Sequence, residues 1–252
     1  MDTSAYLKRI GVAEPSLSID TTLLKLLQRR HLTSIPFENL DIHWGKTIVP
    51  DIGRFFEKIV IYRRGGFCYE LNGLFNELLL GLGFAARLVS ARVFNGKGYG
   101  PEFDHAAIIV TLGEIDFLAD VGFGDFTAEP LKIVEDLVQA DRAGEFVVRR
   151  YDDRYLEVAK RDGDKWRSQY IFTDNVRELS EFAEMCHFHQ TSPDSHFTKG
   201  RLCSIMTETG RRTLTDNKYL ITDNGRSHER TVGSAAEFDK LLDDEFGIRW
   251  IQ

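Results

Sequence analysis

Cys68 stands in the stretch Arg-Arg-Gly-Gly-Phe-Cys-Tyr-Glu-Leu-Asn-Gly-Leu-Phe, residues 63–75, directly behind a Gly-Gly pair and where an apolar helical rhythm begins. A thiol at the start of a helix lies beside unpaired backbone N–H groups and at the positive end of the helix dipole, which favours the thiolate. A thiolate is a nucleophile. Gly65 and Gly66 are expected to let the chain turn sharply and to leave room for a substrate carbonyl, with backbone N–H groups, that of Cys68 included, as an oxyanion site. The plain alternative is a small apolar filler at the start of a buried helix.

A reactive thiolate needs a base held in place by a third group. Of the seven histidines, His105 has the most telling context. It opens the apolar run His-Ala-Ala-Ile-Ile-Val-Thr-Leu, and a second run after Gly113 ends at Asp120. The two runs read as a hairpin. A two-residue turn at Leu112-Gly113 sets His105 opposite Asp120, whereas a turn at Gly113-Glu114 pairs Ala107 with Asp120 and leaves His105 diagonal to it, within about 7–8 Å. A three-residue loop sends the two to opposite faces. Asp116 shares a strand face with Asp120, so parity does not separate them; position at the strand's end, against Val-Gly-Phe-Gly, favours Asp120. Its ordinary alternative is turn capping. His43, His187 and His189 are read as structural. Cys-His-Phe-His at 186–189 has the composition of a metal cluster, but residues two apart on a helix diverge, so no metal site is expected.

These groups need elements to position them. With 252 residues, 42% of them hydrophobic, the chain can bury a real core. Leu23, Leu24, Leu26, Leu27 and Leu32 follow a possible Asp20 cap, and Leu71, Leu74, Phe75, Leu78, Leu79 and Leu82 end near Gly83, so the first third reads as helical. From about Ala85 short β-like runs take over: 86–94, 106–112, 114–121, 145–151 and 154–161. A helix is expected over Val176 to His189, then strands at 201–206, 211–215 and 218–223, and a closing helix over Ala235 to Phe246 behind a Ser234 cap. The class is α+β. Glu38 and Arg64 are expected to pair and lock the turn before Cys68.

Composition narrows the partners. A net charge of −7 with no basic stripe argues against nucleic acid. No run approaches the roughly 18 apolar residues of a membrane span, and the start lacks a cleavable apolar segment, which reads as a cytoplasmic protein without membrane association. Cys68, Cys186 and Cys203 are odd in number and lack metal-ligand spacing, so free thiols are expected.

Five stretches carry a family resemblance: Ser-Ile-Pro-Phe-Glu-Asn-Leu-Asp-Ile-His at 34–43, Arg-Gly-Gly-Phe-Cys-Tyr-Glu-Leu-Asn at 64–72, Asp-His-Ala-Ala-Ile-Ile-Val at 104–110, Ala-Asp-Val-Gly-Phe-Gly at 119–124 and Thr-Gly-Arg-Arg-Thr-Leu at 209–214. In these the chain resembles arylamine N-acetyltransferases of the bacterial type. The resemblance implies a helical bundle (1–84), a β-barrel with a following helix (85–190) and an α/β lid (191–252), around a cysteine-protease-like, transglutaminase-like core. It implies a triad of Cys68, His105 and Asp120 that takes acetyl from acetyl-CoA as a thioester. The acetyl group then goes to an arylamine, arylhydrazine or N-hydroxyarylamine by a ping-pong path, in xenobiotic metabolism. Acetyl-CoA is then a substrate, with no permanently bound cofactor, and a monomer or homodimer is left open. Phe37, Phe123 and Phe197 are the implied aromatic walls, and Gly122 and Gly124 the positions where backbone N–H groups approach the CoA pyrophosphate. An amide synthase of the same family, a transglutaminase-like enzyme acting on other acyl donors, and a non-catalytic ligand-binding relative are the alternatives.

Overall fold

The computed structural model describes residues 1–13 and 18–249. Helices fill its first third: α1 (Thr3–Arg9), α2 (Thr21–Ser34), α3 (Leu40–His43), α4 (Ile52–Phe56), which runs into a π-helical turn (Glu57–Ile61), and α5 (Cys68–Leu82). Asp20 caps α2 by accepting from the Leu23 N–H at 2.9 Å, which satisfies a donor the helix cannot. Gly83 ends α5 at φ 95°, a left-handed conformation that a side chain would strain. Leu71, Leu74, Phe75, Leu78 and Leu79 of α5 are buried, each contributing about 1.5–3 kcal/mol. The thiol's helix is therefore anchored along its length.

The strands β2 (Ala85–Val93), β3 (His105–Leu112), β4 (Ile115–Ala119), β5 (Leu131–Lys132), β6 (Val138–Asp141), β7 (Gly144–Arg150), β8 (Leu156–Asp162) and β9 (Lys165–Val176) form one sheet ordered β5-β4-β3-β2-β9-β8-β7-β6. A bridge between Glu135 and Val148 brings its two ends together as a nearly closed barrel. Strand β3 is buried on both faces: Ala107 and Ile109 face the barrel core with Phe146 and Tyr170, and Ala106, Ile108 and Val110 pack with α5. That is why its sequence is a continuous apolar run rather than an alternation. Leu112 pairs with Ile115, so the turn is Gly113-Glu114, with Gly113 at φ 63°. This is the register that makes His105 and Asp120 diagonal neighbours.

A second sheet, ordered β1-β10-β11-β12-β13, joins β1 (Phe37–Glu38) from the helical third to β10 (Leu202–Met206), β11 (Gly210–Thr215), β12 (Lys218–Asp223) and β13 (Arg226–Thr231). Helix α7 (Ala235–Phe246), capped by Ser234, packs Phe238, Leu241 and Leu242 on Cys203, Leu214 and Tyr219. The class is α+β, as expected.

The helix expected over Val176 to His189 is corrected. Strand β9 runs to Val176, and the Arg177 N–H donates to Leu88 O at 2.9 Å, which keeps the chain extended. A 3-10 turn (Leu179–Phe182) follows, and α6 spans only Ala183–Thr191. Among the described residues no helix is long and apolar enough to cross a membrane.

Candidate active site

Cys68 is the first residue of α5 and is 3% exposed. The loop before it lies against Pro36–Glu38: Gly66 N–H donates to Pro36 O (3.3 Å), and Glu38 N–H donates to Gly66 O (2.8 Å). A Cβ on Gly65 would fall 2.1 Å from Pro36 O, and one on Gly66 would fall 2.8 Å from Glu70. The two glycines thus permit a close approach of chain segments; they do not open room for a substrate carbonyl, as the sequence suggested. Behind the loop Arg64 bonds Glu38 (2.6 and 3.0 Å) and Asp41 (3.0 Å), while Lys58 bonds Asp41 (2.8 Å) and Glu70 (2.8 and 3.0 Å). The expected Glu38–Arg64 pair is part of a five-charge cluster. Glu70 also accepts from the Phe67 N–H at 3.1 Å, fixing the first turn of the thiol's helix. Burial pushes Glu70 up to about 7, only partly offset by Lys58.

His105, 2% exposed, opens β3, and its Nε2 lies 2.8 Å from Asp120 Oδ2. Asp120 takes three further donors: Tyr170 O–H (3.0 Å) on Oδ2, and Asn72 Nδ2 (2.8 Å) and the Gly122 N–H (2.9 Å) on Oδ1. Burial works to raise its pKa, but His105 and the bonds from Asn72 and Gly122 outweigh it and hold the carboxyl below its ordinary value. An ionised carboxylate only accepts, so hydrogen bonding assigns the proton to Nε2 and leaves Nδ1 as the acceptor nitrogen. Asp116 takes no part. It pairs with Arg87 at 2.7 Å, near the hairpin's turn.

Burial pushes the Cys68 thiol well above its ordinary pKa; Cys186, Asp104 and Asp120 add to this, and a hydrogen bond with the Ala106 backbone offsets only part. Desolvation thus works against the helix-end effect on which the sequence argument relied.

Cys68 and His105 open on a cleft of about 400 Å³ whose walls include Phe37, Phe123 and Phe197. Phe123 stands edge-on to His105, ring centroids 5.2 Å apart, and Phe37 lies 6.0 Å from Phe197. Phe197 sits in a 3-10 turn (His196–Thr198) whose Phe197 carbonyl accepts from Asn39 at 2.9 Å and lies 3.0 Å from His43 Nε2. Gly122 and Gly124 both line the cleft. The role expected of Gly122 is corrected, because its N–H is committed to Asp120 and a Cβ there would fall 2.7 Å from Asn72 Nδ2 and 2.8 Å from Cys68 Cα. It is a close-packing glycine beneath the nucleophile. At Gly124 a Cβ would meet nothing within 4 Å, so its backbone stays approachable.

A family model described as N-acetyltransferase matches residues 20–251. An arylamine N-acetyltransferase of Escherichia coli is 34% identical over 92% of this chain and 83% of its own length. The chain belongs to the arylamine N-acetyltransferase family. It is accordingly an enzyme, an acyltransferase. Among solved arylamine N-acetyltransferases, that of Salmonella typhimurium shares the fold at TM-score 0.91 and 29% identity, covering 98% of this chain and 90% of its own. The Mycobacterium marinum arylamine N-acetyltransferase in complex with CoA gives 0.89 at 28% identity, covering 98% and 93%.

Three residues of this arylamine N-acetyltransferase site had no role in the sequence reading. Asn72, one turn after Cys68 on the same helix face, ties Asp120, Ala106 O (2.6 Å) and the Val121 N–H (2.9 Å) together, and its i+4 spacing from the thiol was the available signal. Tyr170 comes from β9, a strand without a clean alternation. His189, read as merely structural, lines the cleft with its Nε2 3.2 Å from both Asp104 O and Asp104 Oδ1. Its neighbours diverge from it: Cys186 is buried toward Ile48 O at 3.7 Å, and His187 faces solvent.

Proposed function

We propose that the enzyme moves an acetyl group from acetyl-CoA through a Cys68 thioester to an arylamine, arylhydrazine or N-hydroxyarylamine, in two half-reactions. The observation that carries this reading is that Cys68 and His105 face one cleft while Asp120 fixes the far nitrogen of the imidazole at 2.8 Å. In the first half, His105 Nδ1 takes the Cys68 proton as sulfur attacks the thioester carbonyl. The C–S bond to CoA then breaks, and the imidazolium returns the proton to the departing thiolate. In the second, the amine attacks the acetyl-Cys68 carbonyl, His105 takes an amine proton, and collapse releases the amide and restores the thiol. Asp120 keeps the tautomer and stabilises the imidazolium in both halves. Burial, which disfavours an unpaired thiolate, suits a proton held between Cys68 and His105.

Phe37, Phe123 and Phe197 supply flat apolar walls for an aryl ring, and Gly124 the approachable backbone for the donor's phosphates. A relative binding CoA supports the donor assignment. The test is intact-protein mass spectrometry after brief exposure to acetyl-CoA without acceptor, run beside Cys68→Ala. One acetyl adduct on the parent, absent from the variant and discharged by an arylamine or hydrazine, is expected. With no adduct and no free CoA the donor assignment falls, and carrier-bound acyl chains and peptide glutamine become the donors to try.

A further inference from the structure

Strand β11 alternates its side chains between two environments. Arg212 points to the α7 side and pairs with Glu245 at 3.0 Å; Arg211 and Thr213 line the thiol's cleft. Buried or partly buried arginines elsewhere in the fold are held either by carboxylates, as Arg87 by Asp116 at 2.7 Å, Arg201 by Asp216 at 2.6 Å and Arg64 by Glu38 at 2.6 Å, or by backbone carbonyls, as Arg9 by Ser34 O at 2.7 Å and Ile59 O at 3.1 Å. Arg211 differs. Its hydrogen bond runs from Nη1 to Ser204 Oγ at 3.2 Å, a neutral hydroxyl that also bonds Thr213, and among the described residues no carboxylate lies within ion-pair distance of it. Burial lowers its pKa, with Asp125 offsetting part of the effect. Asp125 itself is bonded to Lys160 at 2.8 Å and is 78% exposed at the rim.

Of the other charged or titratable side chains of the cleft, Asp104, His105, Asp125 and His189 are paired and His196 is exposed. Asp104 holds His189, and His105 holds Asp120. Arg211 is the sole lysine or arginine among the described residues lining the cleft with Cys68. A guanidinium presents donors in a fork that matches a carboxylate bidentately, and a partly desolvated one without a counter-ion gains most from an anion delivered by a ligand.

We propose that Arg211 is a specificity-determining residue that selects acceptors carrying an anionic ring substituent, a carboxylate above all, and holds that group while the amine faces acetyl-Cys68. This deepens the transfer reading and rests on it. The donor also carries anionic groups, its phosphates. The pantetheine arm sets those far from the reacting sulfur, whereas a substituent on the acceptor ring stays within the compartment that Cys68 and Arg211 share.

The test compares 4-aminobenzoate with 4-aminobenzamide, its neutral counterpart of equal size. In Arg211→Gln, which keeps a donor for Ser204, the ratio of kcat/KM for the two acceptors is expected to fall at least about tenfold, mainly through KM for the benzoate. Arg211→Lys, which keeps the charge, should retain much of the ratio. An unchanged ratio overturns the proposal, and so does a loss that appears instead in the KM for acetyl-CoA, which would assign the guanidinium to the donor's phosphates. Calorimetry on the unacetylated protein without acetyl-CoA separates this inference from the transfer reading. Tighter binding of the benzoate than of the amide by the parent, lost in Arg211→Gln, supports the anion site even if no acetyl adduct forms. Equal binding of the two by the parent refutes it.

Discussion

Asp120 takes four donors, from α5, β3, β9 and its own loop, so the role proposed for it is orientation more than charge. Asp120→Asn keeps the size and an acceptor oxygen but can offer its amide donor to His105 Nε2, which favours the wrong tautomer. Single-turnover acetylation of Cys68 is expected to slow by roughly 10³–10⁴-fold, with stability lowered by no more than about 1–2 kcal/mol. An unaltered rate would remove Asp120 from the proton path. Its adjacency to His105 was legible from parity and turn length, because a hairpin leaves few registers. Asp116 is drawn away to Arg87 on the neighbouring strand β2, which no pattern within the hairpin reveals. The glycines misled for the same reason. What Gly65, Gly66 and Gly122 touch is Pro36, Glu70 and Cys68, and only for Glu70 is that contact near in sequence.

At the scale of elements, the cluster of Lys58, Arg64, Glu38, Asp41 and Glu70 seats the nucleophile's loop. The Glu38 side chain is fully buried, so Arg64→Ala leaves a carboxylate stranded without its guanidinium; the expected loss is about 3–5 kcal/mol, a fall in Tm on the order of 10 °C. A melt indistinguishable from the parent's would show that the pair locks nothing. Elements whose ends carry local chemistry were readable to the residue: Ser234 starts α7, Asp20 starts α2, and Gly83 stops α5. Strand β13, Arg-Ser-His-Glu-Arg-Thr, is exposed at every position and has no hydrophobic period to read. Strand β9 and the misjudged helix after it fail differently. Val176 is held extended by pairing with Val89, a partner on β2, so a nonlocal ladder overrides the local rhythm.

Across the whole molecule two buried groups pull stability in opposite directions with pH. His31 is driven down to about 3 by burial, with Arg9 adding, from an ordinary 6.5; it folds neutral, and its contribution is full above about 6.5 and lost as pH falls through about 3. Glu70, raised from 4.5 to about 7, contributes fully below about 4.5 and loses that contribution as pH rises through about 7. Between about 4.5 and 6.5 the two slopes cancel. In Glu70→Gln the His31 slope stands alone, and urea unfolding should show stability rising with pH across that window by about 2–3 kcal/mol relative to the parent. In His31→Leu with Tyr6→Phe, which removes the 2.8 Å Tyr6–His31 bond as a unit, it should fall by a similar amount. Parallel curves for all three proteins would sink this account. Strand β1 has a consequence in time. Phe37 pairs with Ser204 and also bridges Gly66, so the strand beside the loop that seats the thiol takes its partner from a segment made much later than itself. A nascent chain reaches the ribosome exit with thiol, imidazole and carboxylate all present and the edge at Phe37 still open, ready to pair with whatever strand comes first. Closure of that edge is a long-range, slow event, and until it happens the chain holds its chemistry before it holds its shape.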